Sequence, residues 1–357
     1  MNSNLNLTSS PAPINFVIAL NELILDILSL IPNIYFIYLL WTRQDLHNNL
    51  RVLLSSFSSS LIIIALTRLP TQSNYIFTGI LYIECFGWLV YGHEIAVMFF
   101  RTIIVPLTFE RVLATIYSKN YEQRKSPKIG ICAVILTLII CILIGIYIGS
   151  ELNNSSIRNG VITFRGRYYG LYHIIDVSIR LLIWIICFSI FVLILNYNQR
   201  CYSFKNLSNK HTLVQRYQFA ENVRSSKLLL AIGIIIFICN LHFDFIMLRI
   251  AYNQQYFNIE YSQSFDFILA LALNAIPISA ILSHSTMFTT FKLHFKQLLN
   301  LFNFKYFINS SNNSISDEPK ININNNKTIE IIKNSKSPRA LLTGQKLIFV
   351  GIFQLMK

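Results

Sequence analysis

A few ionisable side chains interrupt stretches of this sequence that are otherwise apolar. Glu22 and Asp26 lie one helical turn apart, His93 and Glu94 are adjacent, and Arg101 follows Glu94 by seven residues on the same side of a helix. Asp176 and Arg180 are again one turn apart, and Asp244 and Asp266 stand singly in two further stretches. Ionised groups are costly in a low-dielectric medium, so such residues turn inward and find partners there. Two uses fit them, binding a polar ligand or tying helices together. Neither is covalent chemistry. The seven His show no HxxxH or HExxH spacing and there is no nucleophile motif, so an enzyme is not expected. No Lys occurs between Lys227 and Lys292, so the last apolar stretch offers no amine for a retinal Schiff base. No metal or cofactor is implied.

The elements that hold these residues follow from the apolar runs. A run of about 20 apolar residues crosses the hydrocarbon core as a helix. Such runs cover about 14–40, 50–69, 82–107, 129–149, 173–195, 228–250 and 262–287. They are continuous and do not alternate, so they are helices and not strands of a barrel. The chain is 54% hydrophobic and only 13% charged, with a mean hydropathy of +0.50. A soluble protein would carry about a quarter charged residues. The expected fold is an all-α membrane protein, a seven-transmembrane helix bundle. It divides into an N-terminal segment (1–13), the bundle (14–288) and a largely disordered tail (289–357). No internal repeat of the kind common in transporters is present.

The net charge of +14 does not indicate nucleic acid. The basic residues sit beside spans, where they set topology and meet anionic headgroups of the bilayer. Most of them fall in the 1–2, 3–4 and 5–6 connections and the tail, whereas the other face holds only Arg158, Arg165 and Arg167. The positive-inside rule then puts the N-terminus outside and the tail in the cytoplasm. That orientation exposes glycosylation sequons at Asn6, Asn153 and Asn154. It also places His93, Glu94, Asp176, Arg180, Asp244 and Asp266 in the membrane middle or outer half, as candidates for a pocket that takes a small-molecule ligand. Singly, each reads more readily as an interhelical tie. Asp176 is expected to pair with Arg180, and Arg68 and Arg249, at outer helix ends, to snorkel towards water. Cys132, Cys141, Cys187 and Cys239 read as small core residues. Gly145 and Gly149 form a GxxxG step suited to close helix contact. A seven-span ligand-gated channel is the rival architecture, but it needs the inverted topology.

Three segments carry a resemblance: Asn21–Leu30 (NELILDILSL), Pro106–Glu122 (PLTFERVLATIYSKNYE) and Arg216–Leu230 (RYQFAENVRSSKLLL). Together they resemble the nematode serpentine receptor class epsilon family. Glu110, Arg111, Ala114, Thr115, Tyr121 and Glu122 match its pattern after the third helix. Glu221, Asn222, Arg224, Lys227, Leu228 and Leu229 match its pattern opening the sixth. The resemblance implies a chemosensory receptor that couples to a heterotrimeric G protein at the plasma membrane of sensory neurons, with dimerisation left open. The residues allow a physical version of the same idea. Glu110-Arg111 sits where rhodopsin-like receptors carry an acid–Arg pair. Glu221 and Arg224 share one face of the sixth helix. Two readings stand: a clasp between the third and sixth helices, Arg111 to Glu221 and Glu110 to Arg224, opened when an outer ligand favours the other state, or ordinary interfacial charges that obey the positive-inside rule. Many serpentine receptors carry a disulfide from the top of the third helix to the 4–5 loop. Cys85 occupies the first position, but that loop has no Cys, so this bridge is not expected. The seventh span has Asn274 and Pro277 but no adjacent Asn-Pro pair followed by Tyr.

Overall fold

A computed structural model describes residues 13–42, 46–78, 87–117, 121, 126–154, 171–205, 213–253 and 259–311. Among these the chain is helical: α1 (Pro13–Thr42), α2 (Asn48–Thr78), α3 (Gly87–Thr102), α4 (Ile104–Ile116), α5 (Lys128–Asn154), α6 (Leu171–Lys205), α7 (Leu213–Asn253), α8 (Ile259–Ser283) and α9 (Ser285–Ser311). Six of these helices are long and apolar enough to cross a membrane. The third span is delivered in two pieces, α3 and α4, joined through Ile103. Pro106 explains the joint, because its ring crowds the carbonyl of Thr102 and it has no N–H to donate there. The rod nevertheless continues, since Ile103 N–H reaches Phe99 O (3.0 Å) and Leu107 N–H reaches Ile103 O (3.1 Å). The molecule is thus a seven-transmembrane helical bundle.

The chain forms two units, Met1–Lys296 and Gln297–Lys357. Within the first, α1 packs on α2 and α8, α8 on α7, and α7 on α6, while α3 and α4 together touch α2, α5, α6 and α7. The third span is therefore the central pillar. The core around it includes Phe57, Phe100, Ile103, Leu107, Phe191, Leu228, Leu229, Ile232 and Leu273. α5 is the outlier: 17% of its apolar window is buried against 50% for α2. It leans on the bundle by one edge and gives the rest to lipid. At that edge Gly130 is required, because a Cβ there would stand 2.7 Å from the carbonyl oxygen of Asn49 on α2. Gly145, further along the same helix, lies against Ile95 of α3.

Pro277 sits inside α8 and cannot donate to the carbonyl of Leu273. Asn33 of α1 fills the vacancy, with Nδ2 donating to Leu273 O (2.9 Å). Ser58 of α2 donates to Asn33 Oδ1 (3.0 Å), so one amide binds three helices. Asn274 of α8 adds a second tie, donating to Leu25 O of α1 at 2.9 Å.

Several helices outrun the apolar runs that announce them. α7 has 41 residues, about 60 Å at 1.5 Å per residue, roughly twice the hydrocarbon thickness. α2 continues to Thr78, past the polar residues Pro70, Thr71, Gln72 and Asn74 that suggested its end at Leu69. α9 is helical where the tail was expected to begin, after a break at His284. Cys132 is exposed and not a core residue, whereas Cys141, Cys187 and Cys239 are buried. Cys85, Asn6 and Glu122 lie outside the described residues. Asn153 and Asn154 fall in the last turn of α5, and nothing is described of their side chains.

Candidate functional site

The inward-facing charges gather into three groups. The first is centred on Arg68 of α2. Its guanidinium donates to Glu22 Oε1 of α1 through both Nε (2.9 Å) and Nη2 (2.7 Å), and to Asp266 Oδ2 of α8 through Nη2 (2.7 Å). Asp26, one turn beyond Glu22, is buried as well. Arg68 therefore does not snorkel. Because α2 continues for ten residues past it, Arg68 is an interior residue of the helix, and the acids of two neighbouring helices hold it in the bundle. His93 and Thr67 stand beside this group, with His93 Nδ1 and Thr67 Oγ1 3.2 Å apart, joining α3 to α2.

The second group is centred on Asp244 of α7. Arg101 of α3 donates to Asp244 Oδ1 at 3.0 Å and to Asn240 Oδ1 at 2.7 Å, and its guanidinium lies 4.1 Å from the ring centroid of Phe243. Arg180 of α6 approaches the same Asp244 oxygen at 3.8 Å. The nearest described acid to Arg180 is thus on another helix. Nothing is described of the Asp176 side chain expected to pair with it. Two cations share one carboxylate here, whereas in the first group three carboxyls surround one cation. Glu94 on α3 lies in the electrostatic reach of Arg68, Asp266 and Arg101, between the two groups.

The third group is at the other end of the third span. Arg111 of α4 forks onto its neighbour Glu110, Nε to Oε2 and Nη2 to Oε1, each at 2.5 Å. Its remaining nitrogen, Nη1, donates to Ser225 Oγ of α7. Tyr121 donates to Glu110 Oε1 at 2.7 Å, Asn49 Nδ2 of α2 donates to the Tyr121 hydroxyl at 3.2 Å, and Gly130 N–H of α5 donates to Asn49 Oδ1 at 3.0 Å. The Tyr121 ring also packs on His47, with centroids 4.1 Å apart. Burial and then the Glu110 carboxylate push the Tyr121 phenol above its usual range, so it stays a neutral donor. A continuous polar chain thus runs from α5 through α2, Tyr121 and α4 to α7. Asn222 of α7 adds a weaker contact to Ala114 O (3.4 Å), and Asn198 of α6 bonds Thr115 Oγ1 (3.2 Å).

The two sequence motifs therefore meet in space, but not through the expected pairs. No ion pair joins Arg111 to Glu221 or Glu110 to Arg224 among the described residues. Glu110 satisfies two of Arg111's donors in the fork geometry that guanidinium and carboxylate share. Ser225, one turn nearer the bundle than Glu221, takes the third. Glu221 instead faces His284 at the α8–α9 break, with Oε1 3.8 Å from Nε2. Ser225 and Asn49 carry no charge and do not stand out in the sequence, and Arg68, expected to snorkel, is instead the centre of the first group. Ser225 was inside the quoted motif, but a hydroxyl carries no charge to single it out.

A family model of serpentine type 7TM GPCR receptor class ab chemoreceptors matches residues 4–312, nearly all of the described chain. The resemblance to class epsilon is corrected to class ab, which is likewise a nematode chemoreceptor family and not an enzyme family. No curated protein matches the chain. A bundle of seven membrane-crossing helices, charged along its interior and matched over its length by this model, belongs to the class ab family of serpentine seven-transmembrane chemoreceptors.

Proposed function

We propose that this protein is a G-protein-coupled chemoreceptor in which a small molecule acts on the charged groups around Arg68 and Asp244, and the Glu110–Arg111–Ser225 junction transmits the effect to a heterotrimeric G protein. The observation that carries the reading is that junction. A buried arginine is neutralised on its own helix and makes one hydrogen bond to the neighbouring α7. Such a contact is strong enough to bias a conformational equilibrium and weak enough for a ligand to reverse. The basic 3–4 and 5–6 connections favour a cytoplasmic location for this end and an extracellular N-terminus. The site of action is the plasma membrane of chemosensory neurons, including their cilia. Glu122, next to Tyr121 in sequence, and Arg224 are proposed contacts for the G protein, and His93, Glu94, Asp176, Arg180, Asp244 and Asp266 remain the proposed ligand-facing set.

The test is guanine-nucleotide exchange on a panel of purified heterotrimers by the full chain in lipid nanodiscs. Exchange above empty nanodiscs with at least one heterotrimer is the expected result. A flat panel for a folded protein, together with glycans found only on tail sequons and none at Asn6, Asn153 or Asn154, would overturn the reading and favour the inverted channel.

A further inference from the structure

The group around Arg68 holds more acid than base. Arg68 is shared by Glu22 and Asp266, each at 2.7 Å, and Asp26 is the third carboxyl on the same face of α1. Glu22 and Asp26 are 1% and 2% exposed and Gln72 is fully buried. Gln72 stands one turn beyond Arg68 on α2. Its amide faces the Glu22 carboxyl but makes no well-formed hydrogen bond with it. Three buried oxygens in this group have no donor, Glu22 Oε2, Asp26 Oδ2 and Gln72 Oε1, and the Gln72 Nε2 amide is likewise without an acceptor. Buried acceptors without donors are costly, and carboxylates are the costliest. Here they coincide with three carboxyl groups around one cation, so a ligand that brings both hydrogens and a positive charge would relieve them.

We propose that this group recognises the primary ammonium of a small-molecule ligand, whose three N–H donors go to Glu22 Oε2, Asp26 Oδ2 and Gln72 Oε1. An ammonium carries three donors and one charge, and so matches the three unfilled oxygens in number and would hold the carboxyls beside it in their ionised form. An alcohol brings no charge. A quaternary ammonium brings no N–H. Among the described residues no set of three His, Cys, Asp or Glu is arranged to hold a metal ion. Arg68 has its place in the site too, because it holds the other oxygen of Glu22 and so fixes the direction in which Oε2 points. At the other group, Arg101 and Arg180 already approach the Asp244 carboxylate, which leaves it less suited to an ammonium.

The inference deepens the chemoreceptor reading and rests on it, but its test does not pass through a G protein. The full chain in nanodiscs is titrated with butylammonium, butan-1-ol, tetramethylammonium and sodium chloride at constant ionic strength, and the unfolding midpoint is followed. Butylammonium alone is expected to raise the midpoint, with an apparent affinity in the millimolar range. Asp26→Asn and Gln72→Leu are each expected to weaken it about tenfold, equivalent to about 1.4 kcal/mol. Neither residue pairs with Arg68, and Gln72→Leu removes only a neutral amide, so the pair guards against a variant that fails to fold. An equal shift with butan-1-ol or tetramethylammonium, a shift with sodium in place of butylammonium, no shift with butylammonium, or undiminished affinity in both variants would each overturn the proposal. Ammonium binding without any nucleotide exchange would count against the G-protein reading and leave this site standing.

Discussion

Ser225→Ala tests the junction at its smallest point. The substitution removes one hydroxyl and leaves Glu110, Arg111 and Tyr121 untouched. It deletes the hydrogen bond from Arg111 Nη1 to α7, together with the hydroxyl's own bonds to the carbonyls of Glu221 and Asn222 inside that helix. A hydrogen bond to a charged group contributes about 1.5–3 kcal/mol net. If that bond exists only in the state described here, its loss shifts the equilibrium towards the other state by about 10- to 100-fold. A minor state populated at about 1% would rise to at least about 10%. Basal nucleotide exchange, measured without ligand on the heterotrimer that couples best, should rise in proportion. Ser225→Thr keeps the hydroxyl and should stay near the parent. An Ala variant that folds, melts like the parent and shows unchanged basal exchange would refute the idea that this contact restrains α7.

Other consequences can be read at single residues. Tyr121→Phe removes a donor to Glu110 and an acceptor for Asn49, and should also raise basal exchange, by less than Ser225→Ala because Arg111 keeps its bond to α7. Since the Tyr121 phenol titrates higher folded than unfolded, its contribution to stability is full below pH about 10 and falls as pH rises from there, a loss that melting curves of the Phe variant should not share. Arg68→Gln strands the carboxyls of Glu22 and Asp266 and should cost about 3–5 kcal/mol, seen as a fall in folded yield and melting midpoint, with most of the loss recovered when Glu22→Gln and Asp266→Asn are added. Two glycines on helices should respond with opposite signs. Gly130→Ala meets Asn49 backbone at 2.7 Å and should destabilise by about 1–3 kcal/mol, whereas Gly233→Ala enters open space and should stabilise by about 0.5–1 kcal/mol.

The spans were legible because a bilayer demands long apolar runs, and six of the helices appear where those runs lie. What composition could not show was where each helix stops. Polar turns such as Pro70–Asn74 on α2, or Arg216–Lys227 on α7, satisfy their backbone internally and continue the rod beyond the lipid. Arg68 was misplaced for that reason: a residue read at a helix end is in fact ten residues from it. The motif residues of α4 and α7 meet in space, as charge and spacing suggest. Their partners were not legible, because any of several acids and hydroxyls one turn apart can reach a guanidinium, and only packing selects Ser225 over Glu221. Pairing around Asp244 was equally hidden. Asp244 finds Arg101 and Arg180 through the lateral order of α3, α6 and α7, which no single helix encodes.

The length and continuity of α7 turn angle into distance. α1, α2 and α8 each contain a proline, and α7 contains none. Asp244 and Ser225 are separated along it by about 28 Å at 1.5 Å per residue. A tilt of about 10° pivoting at Asp244 therefore carries Ser225 sideways by about 5 Å. That is well beyond the reach of the bond from Arg111, which weakens within a few tenths of an ångström. On the proposed reading, a rearrangement at Asp244 that tilts α7 by that much would open the far end, with a stiff rod as the lever.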